Sequence, residues 1–292
     1  MNILILGASG LVGGNCLNLF SGNSQWKVAG THFSFPTEQT QFFNTLRLDD
    51  PDNFDIAAFR PSIILHAGAL THVDHCEDHE EESYQKTVQS TANVALLVKQ
   101  YNAKFIYIST DYVFDGTNGP YDEEAEVNPL SVYGRHKLEA ENIVRATTEN
   151  HLILRITNVY GDEIRNKNFI SRIVEAIIEG KTLQLRLPYD QYATPANAFD
   201  IARMLYLLIG DDKKGLYHVA STDSLNRVQL AQRILKHFPV NRVEVIPATT
   251  AEIAQKAPRP LQGGLKPQKF LAEYPDFHFS NVDDFLRSKE QV

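Results

Sequence analysis

Cysteine is scarce in this sequence, and so are long apolar runs and clustered positive charge. Only Cys16 and Cys76 occur among 292 residues, which excludes a disulfide framework and favours a reducing compartment. The longest apolar run, residues 204–209, is far shorter than the ~20 residues that a membrane-spanning helix needs. A net charge of −8 without a basic run argues against a nucleic-acid-binding surface. We therefore expect neither a membrane nor a nucleic-acid partner.

The remaining composition is that of an ordinary globular protein. Apolar residues make up 43% of the chain and charged residues 22%, so a sizeable core can form without disulfides. No basic leader or cleavage site precedes the first apolar segment, and we expect a buried strand there instead of a signal peptide. These features predict a cytoplasmic protein with one large domain or two closely joined ones.

Short apolar runs alternate with helical patterns through the first half of the sequence. The runs predict buried strands at residues 3–6, 27–30, 62–66, 104–109 and 151–156. The patterns between them predict helices at residues 11–21, 52–59, 80–101 and 129–149. Hydrophobic strands that alternate with helices favour a parallel sheet covered on both faces. We therefore predict an α/β fold with a Rossmann-type doubly wound parallel sheet.

The alternation loosens in the second half of the chain. Helices are predicted at residues 169–180, 197–209 and 225–238, and strands at residues 215–219 and 242–246. No linker rich in Gly or Ser divides the sequence. We therefore expect two interleaved parts, the second of them smaller.

Directly after the first predicted strand, residues 7–13 have the sequence Gly-Ala-Ser-Gly-Leu-Val-Gly. Glycines between a strand and a helix let the backbone turn tightly, approach a pyrophosphate and pack the helix on the sheet. Composition alone predicts this glycine pattern about 0.05 times in the chain, so chance explains it poorly. The motif predicts a dinucleotide site with contacts from Gly7, Ser9, Gly10, Leu11, Val12 and Gly13.

The end of the second predicted strand bears on the choice of cofactor. An Asp or Glu there would bind the adenosine 2′-hydroxyl and favour NAD. This segment contains no acid, and Thr31, His32 and Ser34 offer donors to a 2′-phosphate instead. We therefore predict NADP(H) in preference to NAD(H), although no arginine stands in the segment.

Tyr133 and Lys137 are four residues apart near the start of a predicted helix, so both project from one face. Composition predicts about 0.6 such pairs, so the spacing alone carries little weight. Its position adds weight, because the preceding strand ends at Ser109 and Thr110, and α/β sheets place their chemistry at strand ends. A nearby ammonium and the positive charge of the nicotinamide would lower the pKa of the phenol from its usual value of about 10. The set predicts acid–base chemistry at a carbonyl oxygen that Thr110 helps to hold.

These motifs together resemble the extended short-chain dehydrogenase/reductases, and more narrowly the dTDP-4-dehydrorhamnose reductase group. The likeness spans nearly the whole chain and is most specific in the sequence Ser-Thr-Asp-Tyr-Val-Phe-Asp-Gly. It is carried by residues 7–13, 73–77, 109–116, 133–137, 154–156, 159–161, 168–169, 190–195 and 259–260.

The resemblance implies NAD(P)H-dependent reduction of a nucleotide-linked 4-keto-6-deoxysugar. It implies that Thr110, Tyr133 and Lys137 are catalytic, that Tyr133 protonates the carbonyl oxygen and that Lys137 also binds the nicotinamide ribose. We expect further cofactor contacts from Asp49, Ala67, Gly68 and Ala69. We expect substrate contacts from Thr71, Val73, Asp111, Tyr112, Asn158, Gln191 and Arg259.

The same interpretation divides the chain into two functional parts. We predict an NAD(P)-binding part at residues 1–160, with elements returning from about residues 190–235. The substrate-binding part is predicted at residues 161–190 and 236–292. A nucleotide sugar is the expected small-molecule partner, and we expect a monomer or a homodimer.

Three departures from the family pattern keep alternatives open. Val88-Gln89 stands where Val-Asn is usual, His66 where Asn is usual, and Ala193 and Ala196 where Gly and Thr are common. One alternative is a sugar-nucleotide epimerase, which would keep NAD tightly bound. The other is a non-catalytic NADP-binding regulatory subunit of another enzyme.

Residues 71–80 are dense in potential metal ligands, with three histidines, one cysteine and several acids. Structural zinc sites take four arranged ligands, whereas a single short segment is involved here. The family resemblance explains the Val-Asp-x-Cys-Glu core of this segment, and acids at a helix start suit the helix dipole. We therefore expect no metal site.

Overall fold

The apolar segments of the first half are neighbouring strands of one sheet in a computed structural model, which describes residues 1–290. All five strands predicted there are confirmed, although some end a residue or two away. The strands are β1 (Asn2–Leu6), β2 (Lys27–His32), β3 (Thr40–Phe42), β4 (Ile63–His66), β5 (Lys104–Thr110), β6 (His151–Ile156), β7 (Leu183–Pro188), β8 (Tyr192–Ala193), β9 (Gly215–His218), β10 (Leu225–Asn226) and β11 (Val243–Ala248).

The main sheet has seven parallel strands in the order β3-β2-β1-β4-β5-β6-β9. This order confirms the predicted doubly wound Rossmann-type fold. The strand order reverses between β1 and β4, and such a reversal opens a ligand cleft at the carboxyl ends of the strands.

Twelve α-helices connect or flank the strands within residues 1–290. They are α1 (Leu11–Ser21), α2 (Ile56–Phe59), α3 (Val73–Asp78), α4 (Glu80–Tyr84), α5 (Ser90–Tyr101), α6 (Val132–Thr147), α7 (Phe169–Ile178), α8 (Ala198–Gly210), α9 (Arg227–His237), α10 (Thr250–Ile253), α11 (Gln268–Glu273) and α12 (Val282–Lys289). None of them combines the length and apolarity that crossing a bilayer requires.

Local capping explains where several helices depart from prediction. α6 begins at Val132 instead of residue 129, because the Ser131 Oγ accepts from the Gly134 amide at 3.2 Å. α2 has a single turn, which begins where Asp55 accepts from the Ala58 amide. The helix predicted at residues 80–101 is divided between α4 and α5 by a π-helical turn, Gln85–Gln89.

Helices cover both faces of the main sheet. On one face, the buried side chains of α1 and α8 pack against alternate residues of β1, β5 and β6, among them Ile5, Ile106 and Leu152. On the other face, α5 and α6 cover the residues between, such as Leu4 and Phe105. Because both faces are buried, the central strands β1 and β4 are almost entirely apolar, as parallel strands usually are.

A smaller cluster lies beyond the sheet. β7 and β11 form a two-stranded parallel pair, and α7, α9 and α12 share a core that includes Ile173, Leu230 and Phe285. In contrast, β9 joins the main sheet and α8 packs on α1. The chain thus leaves the main sheet after β6 and returns to it before its last segment.

Candidate active site

The glycine motif forms a tight loop at the carboxyl end of β1. Gly7 has φ +86°, and a Cβ placed on it would lie 2.7 Å from the amide nitrogen of Gly68. A Cβ on Gly13 would lie 2.4 Å from the carbonyl oxygen of Gly7. Only glycine fits these two positions, because backbone atoms occupy the space that a Cβ would take.

The amino terminus of α1 is open to a ligand. Gly10 precedes the helix in an extended conformation and provides no side-chain cap, and Ser9 beside it is half-buried. The amides of Leu11, Val12 and Gly13 belong to the first turn, whose N–H groups have no partner within a helix. Because the positive end of the helix dipole lies there, the turn suits a pyrophosphate. These residues therefore fit a dinucleotide cofactor.

We expect Gly13→Ala to weaken NADPH binding by at least about 10-fold, since hydrogen bonds to charged groups contribute ~1.5–3 kcal/mol each. The added Cβ would meet backbone atoms of Gly7 and Ala8, so the loop must shift and displace the amides. Isothermal titration with NADPH measures the effect. Gly210→Ala, at the end of α8 with no atom within 4 Å of the added Cβ, is the control. Equal affinities for both variants would contradict this prediction.

The residues predicted to meet the adenosine end of the cofactor differ in accessibility. The Thr31 Oγ1 is buried and donates to a β1 carbonyl at 3.4 Å. The His32 Nδ1 lies 2.8 Å from the Thr40 Oγ1. Ser34 and Asp49 are exposed, the first in the loop after β2 and the second in a turn beyond β3. Of the three predicted 2′-phosphate donors, Ser34 alone is exposed.

The segment after β4 forms the other wall of the cleft. The Ala67 amide donates to the Leu6 carbonyl at 2.9 Å, which joins the ends of β4 and β1. Gly68 and Ala69 follow and are half-buried, and Gly68 faces the glycine loop. His66 precedes them in the interior, where burial lowers its pKa to about 3.

Thr110 and Tyr133 meet where β5 ends and α6 begins. The Thr110 Oγ1 accepts from the Tyr112 amide at 3.2 Å and caps a short 3-10 turn. A Cβ on Gly134 would lie 2.3 Å from the Tyr112 carbonyl oxygen, so glycine lets α6 approach this turn. The Tyr133 ring packs edge-on against the Tyr112 ring, with centres 5.6 Å apart.

Burial dominates the pKa of both Tyr133 and Lys137, and the lowering of the Tyr133 pKa by Lys137 and a nicotinamide stays a prediction. Burial raises the pKa of Tyr133 above its ordinary value, and the neighbouring Thr110 side chain acts in the opposite direction. The Lys137 Nζ is buried and donates to the Ile108 carbonyl at 2.6 Å. Burial also lowers the pKa of Lys137 to about 7, which the Glu141 carboxylate partly opposes. Desolvation therefore outweighs charge pairing in this structure.

A pocket next to Tyr112 brings together four of the predicted substrate contacts. Asp111 forms its buried wall, where its Oδ2 accepts from the Thr157 Oγ1 at 2.6 Å and burial raises its pKa. The Gln191 amide group donates to Thr250 and Gln255 at 2.9 and 2.6 Å. The lining residues are Asp111, Tyr112, Asn158, Gln191, Tyr192, Ala193, Arg227 and Pro260.

Arg227 is a pocket residue that the sequence analysis missed. It is the first residue of α9, and its Nη2 donates to the Asn158 Oδ1 at 2.8 Å. Asn158 has φ +39°, which turns the backbone after β6 toward this contact. Burial lowers the pKa of the guanidinium below its usual value. No motif marks Arg227, since it reaches the pocket from 69 residues away in sequence.

Arg259 lies beside the pocket and holds two distant segments together. Its Nη2 is 2.8 Å from the Asp74 Oδ1, and its guanidinium carbon is 5.9 Å from the centre of the Tyr112 ring. Val73 starts α3 beside this ion pair, while Thr71 is exposed in the preceding loop. The Arg259 Nη1 is buried with no hydrogen-bond partner among the described residues.

The segment rich in metal-binding residue types has structural contacts instead. The Glu77 Oε2 accepts from the Val132 amide at 3.0 Å and so caps α6. The His75 Nε2 lies 2.8 Å from the Glu82 Oε2. Within residues 1–290, no group of three His, Cys, Asp or Glu side chains is arranged to hold a metal ion.

Gln89, which replaces the usual asparagine, points to solvent. It ends the π-helical turn and donates to the Asn93 Oδ1 at 2.9 Å. The next residue, Ser90, is buried, and its Oγ lies 2.7 Å from the Thr45 Oγ1 and 3.4 Å from the His66 Nε2. Ser90, the first residue of α5, and His66, the last residue of β4, therefore form a buried polar contact between these two elements.

A dinucleotide loop at β1, with a Thr, Tyr and Lys set on β5 and α6, defines an extended short-chain dehydrogenase/reductase. The family described as RmlD substrate binding domain matches residues 1–281, and the chain belongs to it. The predicted resemblance to the dTDP-4-dehydrorhamnose reductase group is thereby confirmed.

Two solved structures and one curated protein show the range of similar proteins. A dTDP-4-dehydrorhamnose reductase of Clostridium acetobutylicum has a TM-score of 0.84 and 27% identity, covering 99% of this chain and 100% of that one. A dTDP-4-dehydrorhamnose reductase of Bacillus anthracis in complex with NADP has a TM-score of 0.83 and 25% identity, covering 98% and 97%. Methionine adenosyltransferase 2 subunit beta of Bos taurus is 29% identical over 256 residues, 86% of this chain and 76% of that protein.

Proposed function

We propose that the protein is an NAD(P)H-dependent reductase of a nucleotide-linked 4-keto-6-deoxysugar, of the dTDP-4-dehydrorhamnose type. The observation that carries this proposal is the position of Tyr133. Its ring contacts Tyr112, which lines the pocket, and its helix begins beside Thr110 at the end of β5. An acid–base side chain thus stands at the carboxyl ends of the sheet strands, where the dinucleotide cleft opens, and beside a residue that lines a polar pocket.

The glycine loop and the amino terminus of α1 would hold the cofactor, which supplies a hydride when bound. The raised pKa keeps the Tyr133 phenol protonated through neutral pH, as a proton donor to a carbonyl oxygen must be. The Thr110 hydroxyl orients the carbonyl, and Lys137 binds the nicotinamide ribose. Arg227 is the cation of the pocket and suits the diphosphate of a nucleotide sugar.

The preference for NADP(H) and the division into two functional parts belong to the same proposal. β1 to β6, β9 and α8 would form the cofactor-binding part. The substrate-binding part would hold α7, β7, β11 and α12, as its predicted bounds have it, and we add α9 to it because α9 shares a core with α7 and α12. The Bacillus anthracis reductase was solved in complex with NADP, which supports a cofactor that carries the 2′-phosphate.

The first experiment follows NADPH absorbance after dTDP-4-dehydrorhamnose, generated in situ, is added to the purified protein. We expect rapid, substrate-dependent NADPH oxidation. Binding of NADPH measured separately shows that the cofactor site is intact. If NADPH binds and is not consumed, the reductase proposal is wrong for this substrate.

A second candidate is a regulatory subunit without turnover. It is supported by the similarity to methionine adenosyltransferase 2 subunit beta and by the solvent-facing Gln89. This candidate predicts a stoichiometric protein partner on purification from the source cells and no turnover on any sugar nucleotide. Consumption of NADPH with a sugar nucleotide would exclude a purely regulatory role.

A further inference from the structure

The loop at residues 161–168 is the last part of the connection from β6 to α7, and it lies against α1. The Asn15 Nδ2 on α1 donates to the Asp162 carbonyl at 3.0 Å, and Lys289 forms an ion pair with the Asp162 carboxylate. At the other end of the loop, Asn168 caps α7 and donates to the Gly161 carbonyl at 2.9 Å. Fixed at both ends, the loop is held against α1 at Asn15, one turn beyond the start of the helix.

Arg165 extends from this loop to the segment that follows β2. Its guanidinium carbon lies 5.1 Å from the centre of the Phe35 ring, three residues beyond the end of β2. Its Nε is buried and has no hydrogen-bond partner within residues 1–290. No carboxylate of residues 1–290 lies within 4.0 Å of its guanidinium nitrogens. The ring therefore positions a cation whose charge no carboxylate of the described residues neutralises.

The end of β2 itself provides no cation. Residues 30–38 contain neither lysine nor arginine, and Glu38 is their only ordinarily charged residue. The Thr31 hydroxyl donates a hydrogen bond to the Ile5 carbonyl, and the His32 Nδ1 is hydrogen-bonded to the Thr40 hydroxyl. A phosphate on the adenosine ribose would sit beside this strand end. It would therefore need a positive group from elsewhere in the chain.

We propose that Arg165 binds the 2′-phosphate of NADP(H) and thereby sets the preference for NADP(H) over NAD(H). This inference rests on the proposed cofactor function and specifies the residue that decides between the two nucleotides. The guanidinium offers several donors to phosphate oxygens. Stacking on Phe35 restricts the side chain, so less rotamer entropy is lost when it binds.

The test compares binding of NADPH and NADH to three proteins by isothermal titration. These are the wild type, Arg165→Ala and the control Lys167→Ala. Lys167 is exposed in the same loop, so its removal changes the net charge equally. We expect Arg165→Ala to weaken NADPH binding about 10-fold or more and to change NADH binding less than about twofold. Lys167→Ala should change both affinities less than about twofold.

The outcomes separate this inference from the proposal on which it rests. Selective loss of NADPH affinity in Arg165→Ala, partly restored in Arg165→Lys, supports the inference. Equal weakening of NADPH and NADH would place Arg165 at the pyrophosphate and overturn it, as would unchanged binding of both. A wild-type protein that binds neither nucleotide would overturn the cofactor proposal itself. Circular dichroism of each variant verifies that it is folded.

Discussion

Tyr133→Phe is expected to slow substrate-dependent NADPH oxidation by about 10²–10⁴-fold, the usual contribution of a general acid. The change removes one oxygen atom from a ring that is 9% exposed and packs against Tyr112. The fold and the cofactor loop should therefore be preserved. Steady-state rates at saturating NADPH and sugar nucleotide measure the loss, and titration with NADPH should give an unchanged affinity.

The control is Tyr101→Phe, at the end of α5, which removes the same atom from a tyrosine away from the cleft. It should retain the wild-type rate. If Tyr133→Phe also kept its rate within about twofold, another group would have to donate the proton, and the role proposed for Tyr133 would be wrong.

The rate of substrate-dependent NADPH oxidation is expected to depend on pH in one direction. The pKa of Tyr133 is raised, so the phenol keeps its proton through neutral pH and loses it only in alkaline solution. A reaction that needs a protonated Tyr133 is therefore expected to slow toward alkaline pH and not on moderate acidification. Lys137 titrates lower, with a pKa of about 7, because it is buried.

The main sheet could be predicted because its strands are buried on both faces. Segments such as Ile63–His66 and His151–Ile156 are apolar runs of strand length, which is a local signal. The edge strand Thr40–Phe42 and the half-exposed Leu183–Pro188 were missed. Thr40–Phe42 is too short to show a period, and its strand conformation depends on its pairing with β2. Leu183, Leu185 and Leu187 do alternate with polar residues, the period of a half-buried strand, so the local signal was present there although the partner, Val243–Ala248, is distant in sequence.

Some residues of the candidate site could be predicted from local patterns, and others could not. Gly7, Gly13 and the Tyr133–Lys137 spacing are local patterns, and their geometry follows from a tight turn or one helix face. Arg227 and Arg165 are single residues that long-range packing brings to the cleft. The burial that raises the pKa of Tyr133 likewise depends on the complete fold, so no local pattern in the sequence shows it.

The second large effect concerns stability. Glu141 on α6 is fully buried and accepts from the Arg155 Nε and Nη2 at 2.9 and 2.8 Å, and the Ser109 Oγ donates to it at 2.5 Å. Burial raises the pKa of Glu141, but the bonds from Arg155 more than compensate and leave it lowered. Glu141→Gln should reduce the free energy of unfolding by about 3–5 kcal/mol, because it leaves the Arg155 charge buried and unneutralised.

Urea denaturation of the wild type, Glu141→Gln and the control Glu179→Gln measures this effect. Glu179 pairs with Lys181 on the surface, where both side chains are about half exposed, so its loss should cost less than ~1 kcal/mol. The double variant Glu141→Leu with Arg155→Met should lose less free energy of unfolding than the sum of its single changes, since no buried charge is then left alone. Arg145, which also pairs with Glu141, is about one-third exposed, so losing its partner costs little. A carboxylate with a lowered pKa stabilises the fold above its unfolded pKa and less as the pH falls toward its folded pKa. On acidification below about pH 4.5, the free energy of unfolding of Glu141→Gln should therefore fall less than that of the wild type. Equal falls in the two proteins would show that the Glu141–Arg155 pair does not link α6 to β6 energetically.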